Sequence, residues 1–330
     1  MKKNLTEVFD KAFDNAVQIQ EATGNGVAFE WAICYWARKG AGFTDEQLQA
    51  EHQNLRPWGG STDKDAQSAI KNIPKDLWGT VRHSDELGIN GNPEPKTDIV
   101  FGNRNEYKVS VKMAGAVQLA SGEGKSSSVT IQRALDEYYA EGNVTSETMA
   151  MIVDKIANMP TKMLDKKNLA KAKAQATNNY NALTNDAGEI LPGYDWEQFK
   201  ENNKPLILDA LRTYVANHPR FLHILVDEAL TGRRSFGENS LATANYMITP
   251  KKLQAIDSAY VDSVVPKVKI DLRAKSRSGI TSATMRFDYK AEGWLGNIFN
   301  KIKNKLKSFL QDYIYVLFKG AGEMNVTIPI

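Results

Sequence analysis

The stretch VAFEWAICYWARKG, from Val27 to Gly40, is the feature that most limits how this chain can fold. Nearly all of its residues are apolar, and it ends at a glycine of the kind that terminates helices. A helix with so little polar surface to give to water belongs in the middle of a hydrophobic core. Glu30 is its only acidic residue, and a buried carboxylate is costly unless a cation or a metal ion pairs with it.

The composition is that of an ordinary globular protein, and it narrows the classes of function. The chain has 330 residues, of which 42% are hydrophobic and 25% charged, and its formal net charge is +3. Because the charge is nearly balanced, nucleic-acid binding would depend on a local basic surface. The single cysteine, Cys34, excludes an intramolecular disulfide and a cysteine-based zinc site. The N-terminus has no apolar signal core and no run is long enough to span a membrane, so the cytoplasm is the expected compartment.

The period of the hydrophobic pattern predicts a mixture of helices and strands. Short helices and loops are expected up to residue 90, and a change to period two at Lys96 predicts strands. The segments TDIVFG and EYKVSVKM, separated by NRN, are typical of a β-hairpin. The following VQLASG extends the sheet or begins a loop, and SGEGKSSS is predicted to be a flexible polar loop. VTIQRALDEYYAEG returns to the helical pattern.

The second half of the chain alternates again between helical and strand patterns. A helical tract is predicted from Ser146 to about Asn181, and a second helical block is interrupted at Pro219. Strands are expected between residues 242 and 289, and an amphipathic helix with four lysines over residues 295–318. The whole pattern predicts an α/β or α+β fold whose sheet is divided between the middle and the C-terminal third.

The hairpin carries a carboxylate at the start of one strand, Asp98, and an amine at the end of the next, Lys112. A tight hairpin brings these two positions together. A carboxylate, a second acid from a helix and a lysine are the groups that metal-assisted phosphodiester hydrolysis requires, since oxygen ligands hold Mg²⁺ and an ammonium stabilises phosphate charge. The alternative from spacing alone is that Asp98 caps a turn and Lys112 lies on a solvated strand face.

Four segments together resemble the motif of the PD-(D/E)xK nuclease superfamily, the fold of many restriction endonucleases: Glu30, Lys96-Thr97-Asp98, Ser110-Val111-Lys112 and Gln118. In that pattern a helix glutamate precedes a hairpin that carries Asp and then (Asp/Glu)-x-Lys. The resemblance covers roughly residues 25–140. It implies a central mixed β-sheet flanked by helices, dependence on Mg²⁺ with Mn²⁺ as a substitute, and DNA as substrate.

The resemblance also implies a domain organisation. A nuclease-like core would occupy residues 1–145 and a helical insertion residues 146–190. Residues 191–330, which hold the helical block, the C-terminal strands and the amphipathic helix, would complete the same domain.

Roles in the site follow from the resemblance residue by residue. Asp98 and Glu30 would be metal ligands, and the backbone carbonyl of Val111 a third. Lys112 would act on the nucleophile, and Gln118 would orient water or phosphate.

Ser110 departs from the motif, because the superfamily has an acidic residue at that position. Some members with Ser-x-Lys take the missing carboxylate from a neighbouring helix. Glu30 is the first candidate to supply it here, ahead of Glu123 and Glu137.

Basic residues outside the motif predict contacts with the DNA backbone, which position DNA without reading its sequence. The predicted contacts are Lys125, Arg233, Arg234, Arg273, Lys275 and Arg277. For Arg233 and Arg234, which follow a predicted helix, the alternative is favourable pairing with helix-end carbonyls.

Three hypotheses follow. The first is a Mg²⁺-dependent DNA endonuclease; many nucleases of this fold cut two strands as dimers, so the resemblance also suggests a homodimer. Many proteins with this motif are encoded by phages, which would place this one in host cytoplasm or a virion. The second, favoured by Ser110, is a nuclease-fold protein that has lost activity and keeps a DNA-binding or virion structural role. The third is a helical scaffold in which the Asp98–Lys112 arrangement is a coincidence.

Overall fold

The computed structural model of the protein describes residues 25–89, 95–113, 116–160, 163–164, 196–277 and 280–290. The chain divides into two compact units, Met1–Tyr289 and Lys290–Ile330. The predicted boundaries at residues 145 and 190 stay predictions. Among the described residues, no helix combines the length and apolarity that a membrane crossing needs. The predicted amphipathic helix over residues 295–318 lies outside the described residues.

Helices make up much of the described chain. In chain order they are α1 (Asn25–Gly40), α2 (Asp45–Glu51), α3 (Gly60–Ala69), α4 (Gly124–Ala140), α5 (Glu147–Ala157), α6 (Trp196–Asn217), α7 (Pro219–Thr231), α8 (Arg233–Phe236) and α9 (Ser258–Val264). Short 3₁₀ turns cover Ile70–Asn72, Lys75–Thr80, Ser84–Leu87 and Val265–Lys267. Helix starts follow ordinary capping chemistry. Thr44 and Gln47 form a reciprocal capping box on α2, and α7 begins at a proline, as predicted for the break at Pro219.

Strands form two sheets. In chain order they are β1 (Arg82–His83), β2 (Ile99–Phe101), β3 (Tyr107–Val111), β4 (Ala116–Glu123), β5 (Met163–Leu164), β6 (Tyr246–Ile248), β7 (Leu253–Ala255), β8 (Lys269–Arg277) and β9 (Ile280–Lys290). The first sheet has the order β1-β2-β3-β6-β7. All of its neighbours are antiparallel except β3 and β6, which are parallel, so the sheet is mixed. In the second sheet β9 lies between β4 and β5 in strand order and also pairs along its length with β8.

Helix α1 packs against one face of the mixed sheet, as its apolar sequence predicts. Phe29, Trp31, Ile33 and Cys34 are fully buried in this core. The sheet contributes the alternate residues of its strands, for example Ile99 and Phe101 but not Val100, because successive side chains of a strand point to opposite faces.

A second, larger core lies among the later helices and the second sheet. It joins residues of α4, α5, α6, α7 and α9 with the buried face of β8 and β9. Met247 of β6 belongs to this core, while its neighbour Ile248 belongs to the core around α1. The mixed sheet therefore separates two apolar layers, and the coarse expectation of a mixed sheet flanked by helices is confirmed.

The predicted hairpin is confirmed, with Ile99 opposite Val109 and Phe101 opposite Tyr107. Two other predictions are wrong. The predicted loop SGEGKSSS is the end of β4 followed at once by the first turns of α4. The predicted tract from Ser146 ends as a helix at Ala157, and β5 follows at Met163–Leu164. Residues 165–195 lie outside the described residues.

Gly124 explains why a polar, glycine-rich segment forms a packed helix start rather than a loop. A Cβ atom at this position would lie 2.1 Å from the carbonyl oxygen of Ile156 and 2.8 Å from Cβ of Met159. The glycine therefore serves close packing of α4 on the end of α5, a role that its sequence neighbours do not reveal.

We predict that Gly124→Ala destabilises the protein by about 1–3 kcal/mol, because backbone must move to admit the methyl group. Gly26→Ala is the matched control, since Gly26 also lies in the first turn of a helix but has open space around its Cβ position. The control should be neutral or slightly stabilising. Urea unfolding measures both, and equal stabilities of the two variants would contradict the packing role.

Candidate active site

The two predicted ends of the hairpin meet at one edge of the mixed sheet. Asp98 lies immediately before β2, and its backbone N–H donates to the carbonyl of Val109 across the hairpin at 2.9 Å. Lys112 directly follows β3, and its N–H donates to the carbonyl of Ile248 at the end of β6, also at 2.9 Å. Because β3 and β6 are parallel, their carboxyl ends lie at the same edge.

The carboxylate of Asp98 gathers the residues of the Ser-x-Lys segment. Its Oδ2 atom accepts from the N–H of Val111 at 2.6 Å and from the hydroxyl of Ser110 at 3.2 Å. The ammonium of Lys112 lies 3.6 Å from the same oxygen. The side chains of Asp98 and Lys112 are 22% and 30% exposed, so both remain accessible to a ligand. The alternative places Lys112 on a solvated strand face, whereas the structure has it directly after β3 and paired with Asp98.

Glu30 reaches the same site from α1. Its side chain is 15% exposed, and its Oε2 atom lies 3.2 Å from Nε2 of His83. Burial raises the pKa of Glu30 to about 7, and the negative charge of Asp98 adds to the rise, while His83 and Lys112 act in the opposite direction. Asp98 and Lys112 are thus close enough to Glu30 to shift its pKa.

His83 is a site residue that the sequence did not reveal. It lies in β1 directly opposite Ile99, the residue after Asp98. Burial by itself lowers the pKa of His83, but hydrogen bonds to Asp85 and Glu30 outweigh it and raise the pKa to about 9. Its Nδ1 atom lies 3.1 Å from the backbone nitrogen of Asp85 and 3.3 Å from the carboxylate of Asp85. The raised pKa favours the second contact, in which Nδ1 carries a proton.

The donor set fits a hard divalent cation. Among the described residues, the side-chain bonds of Asp98 are all made by Oδ2, and Glu30 bonds His83 through Oε2, so each carboxylate keeps one oxygen for a ligand. The negative charge of Asp98 contributes to the raised pKa of Glu30, and a cation bound between the two carboxylates would relieve this repulsion. Within the described part of the chain, no three His, Cys, Asp or Glu side chains form a metal-binding group, so backbone or water oxygens would have to complete the coordination.

The remaining predicted site residues lie elsewhere or are only partly described. Gln118 and Glu123 belong to β4 of the second sheet, and their side chains lie outside the described part of the structure. Glu137 of α4 is bound to Arg234. Of the three candidates for the missing acid, Glu30 is the one that the described structure brings to Asp98 and Lys112.

Arg234 occupies a largely buried ion cluster. Its guanidinium binds both carboxylate oxygens of Glu137 and lies 2.5 Å from Oδ2 of Asp227. Glu228, which is 1% exposed, lies beside it and accepts from the backbone N–H of Arg234 and from Ser235. These bonds occupy the guanidinium, so they support a structural role for Arg234 instead of the predicted phosphate contact. They also differ from the alternative of pairing with helix-end carbonyls.

Three of the other predicted DNA contacts, Arg233, Arg273 and Lys125, are at least partly exposed. Arg233 is 36% exposed and lies 3.3 Å from Asp227. Arg273 is 50% exposed and bonds Asp271 at 2.9 Å. Lys275 and Arg277 follow it at alternate positions of β8, which places the three on one face of the strand; the side chains of the last two are not among those described. Lys125 is exposed in the first turn of α4, not in a loop.

Comparison of the chain with protein-family models, with curated proteins and with solved structures finds no match. The site must therefore be interpreted from its own geometry.

We predict that the metal-free protein loses stability as pH rises toward 7. The folded state holds the proton of Glu30 more tightly than the unfolded chain does, because its pKa rises from 4.5 to about 7. This contribution is fully present below pH 4.5 and is lost as pH rises through the folded value, a change of about 1–3 kcal/mol. His83 contributes with the same sign over a higher range, from 6.5 to about 9.

Chemical unfolding in EDTA at a series of pH values measures this effect. Glu30→Gln should flatten the slope in the lower range, and the exposed Glu201→Gln should keep it. A Glu30→Gln variant with the wild-type slope would show that Glu30 titrates normally.

We predict that Arg234→Met destabilises the protein by about 3–5 kcal/mol, because the buried Asp227 and Glu228 would lose this guanidinium and Asp227 would keep only Arg233. The matched control is Arg220→Met, since Arg220 also binds a carboxylate, that of Glu141, but lies on the surface. Its cost should be below about 1 kcal/mol. Urea unfolding compares them. A mild effect of Arg234→Met combined with lost DNA binding would favour the phosphate-contact role instead.

Proposed function

We propose that this protein is a metal-dependent DNA endonuclease that hydrolyses phosphodiester bonds with Mg²⁺, for which Mn²⁺ can substitute. One observation carries the proposal: a hairpin carboxylate, a helix carboxylate and a partly exposed amine meet at one sheet edge. Asp98 and Lys112 lie 3.6 Å apart, and the charge of Asp98 reaches Glu30. Three chemically matched groups from separate elements are unlike the scattered placement that a coincidental motif would give.

The connectivity around the site supports the finer part of the proposal, a restriction-endonuclease-like core. Helix α1 precedes the antiparallel strands β1, β2 and β3, and a later strand, β6, pairs with β3 in parallel. The acid and the amine lie at the carboxyl ends of the parallel pair, where sites of sheet proteins often form. As part of this proposal, the protein acts as a homodimer that cuts both DNA strands. Its proposed location is host cytoplasm or a virion.

Each side chain has a definite task in the proposed hydrolysis. When bound, the metal ion neutralises phosphate charge and makes its water more acidic. Asp98 and Glu30 would hold the ion through their carboxylates, with the carbonyl of Val111 as the proposed third protein ligand. Ser110 and the N–H of Val111 fix the carboxylate of Asp98 by donating to it. Lys112 places its ammonium where the attacking oxygen or the pentavalent phosphate carries negative charge.

Binding of the DNA backbone is assigned to the cations of β8 and to Lys125. Arg273, Lys275 and Arg277 lie on one face of β8, and Lys125 lies in the first turn of α4. Contacts of this kind give affinity without sequence readout and weaken steeply with salt.

A second candidate function is that of a DNA-binding or virion structural protein with an inactive nuclease fold. The observation that favours it is the position of Ser110, where the superfamily has an acid. The serine hydroxyl donates to Asp98 and adds no ligand charge, and the described site has two carboxylates where the motif expects three. DNA binding without cleavage in either metal would support this candidate.

We predict that the protein nicks supercoiled plasmid with Mg²⁺ or Mn²⁺, and that Asp98→Asn and Lys112→Ala each lower the rate by at least about 100-fold, because each removes charge stabilisation from the transition state. Lys71→Ala is the control, since Lys71 is exposed in a 3₁₀ turn away from this motif. Agarose gels measure nicking over time. Cleavage that survives in both site variants would come from a contaminant and would defeat the assignment.

A further inference from the structure

The carboxylate of Glu30 is held by a hydrogen bond that the motif does not contain. Glu30 lies in the second turn of α1, and a glutamate side chain has several rotatable bonds whose ordering costs free energy. Nε2 of His83 lies 3.2 Å from Oε2 of this carboxylate. A donor on one oxygen fixes the carboxyl plane and leaves the other oxygen with a defined direction.

His83 is itself held rigidly from three directions. Its ring stacks on the fully buried indole of Trp31, with centroids 4.0 Å apart and an interplanar angle of 12°. Its Nδ1 atom faces Asp85, and its backbone N–H donates to Oε2 of Glu86 at 2.6 Å. A donor with so little freedom can orient its partner without a further ordering cost.

Strand pairing fixes where His83 lies relative to the hairpin acid. His83 is opposite Ile99, and the N–H of Ser84 donates to the backbone carbonyl of Asp98 at 2.9 Å. The imidazole of His83 therefore connects Glu30 of α1 to strand β1, which pairs with β2 beside Asp98. The pairing of β1 with β2 fixes the backbone of His83 relative to that of Asp98.

We propose that His83 is a positioning residue that orients Glu30, so that the free oxygen of Glu30 faces the same cation as Asp98. The inference rests on the proposed function, because it gives the two carboxylates one shared ligand. His83 touches neither the cation nor DNA in this arrangement and acts through Glu30.

The structure offers a matched control for removing this ring. His52 stacks on the same indole of Trp31, with centroids 4.1 Å apart and the same interplanar angle of 12°. Its Nδ1 atom accepts from the backbone N–H of Asn54. Among the described contacts of His52 there is no bond to Glu30 or Asp98, so His52→Phe and His83→Phe each keep a ring for the indole, and His83→Phe alone removes a donor to Glu30.

Mn²⁺ binding to the full chain without DNA, followed by electron paramagnetic resonance, tests the inference. His83→Phe should weaken Mn²⁺ binding about 10- to 100-fold, the range for partners that orient metal ligands, and His52→Phe should leave it unchanged. In the cleavage assay, His83→Phe should raise the Mn²⁺ concentration for half-maximal rate while saturating Mn²⁺ restores most of the rate. If the ring of His83 had only a structural role, His83→Phe would lower thermal stability without a selective loss of Mn²⁺ affinity.

A second pair of variants applies should His83→Phe fail to fold. His83→Gln keeps an N–H donor and His83→Met has a similar shape without one, so Gln should bind Mn²⁺ at least about 10-fold more tightly than Met. Equal affinities within either pair would overturn the positioning role alone. A wild-type chain that binds no Mn²⁺ would overturn the proposed function together with it. Mn²⁺ binding that depends on His83 in a chain that cuts no DNA would uphold the positioning role and defeat the nuclease.

Discussion

The site depends on one constraint, which is that Glu30 lies on the apolar, buried helix α1 and is itself largely buried. Helix α1 must be buried, since Phe29, Trp31 and Ile33 have no exposure, and Glu30 goes with them. An ionised group in such a place requires compensation. The chain provides it through His83 and through the nearby ammonium of Lys112. Burial of the helix therefore brings opposite charges together at one sheet edge. The packing of α1 is thus what places the groups of the proposed site.

The hairpin and the central helix could be predicted from sequence because their signals are local. Period-two alternation and a short polar turn define β2 and β3, and an unbroken apolar run defines α1. The meeting of Glu30 with Asp98 could be expected only through the resemblance. His83 could not be found, since it contacts Glu30 across 53 positions of sequence and nothing near it suggests a partner in α1.

Tertiary packing gives two segments surroundings that their local composition does not suggest. SGEGKSSS has the composition of a loop, yet Gly124 lets α4 approach the end of α5, and Ser127 and Ser128 are buried beyond it. Arg234 has the sequence context of a surface cation, yet Glu137 from another helix joins Asp227 around it. In both cases the deciding neighbour is remote in sequence, which a local pattern does not record.

The parallel pairing of β3 with β6 has a consequence for how the protein reaches its native state. Lys108 and Asn245, joined across this pair by a 2.8 Å hydrogen bond, are 137 positions apart in the chain. The hairpin can form early from local contacts, whereas closing so long a loop must wait until much of the intervening chain is ordered. The sheet edge that carries Lys112 would then be completed late in folding, so the proposed site would be complete only after most of the chain has assembled.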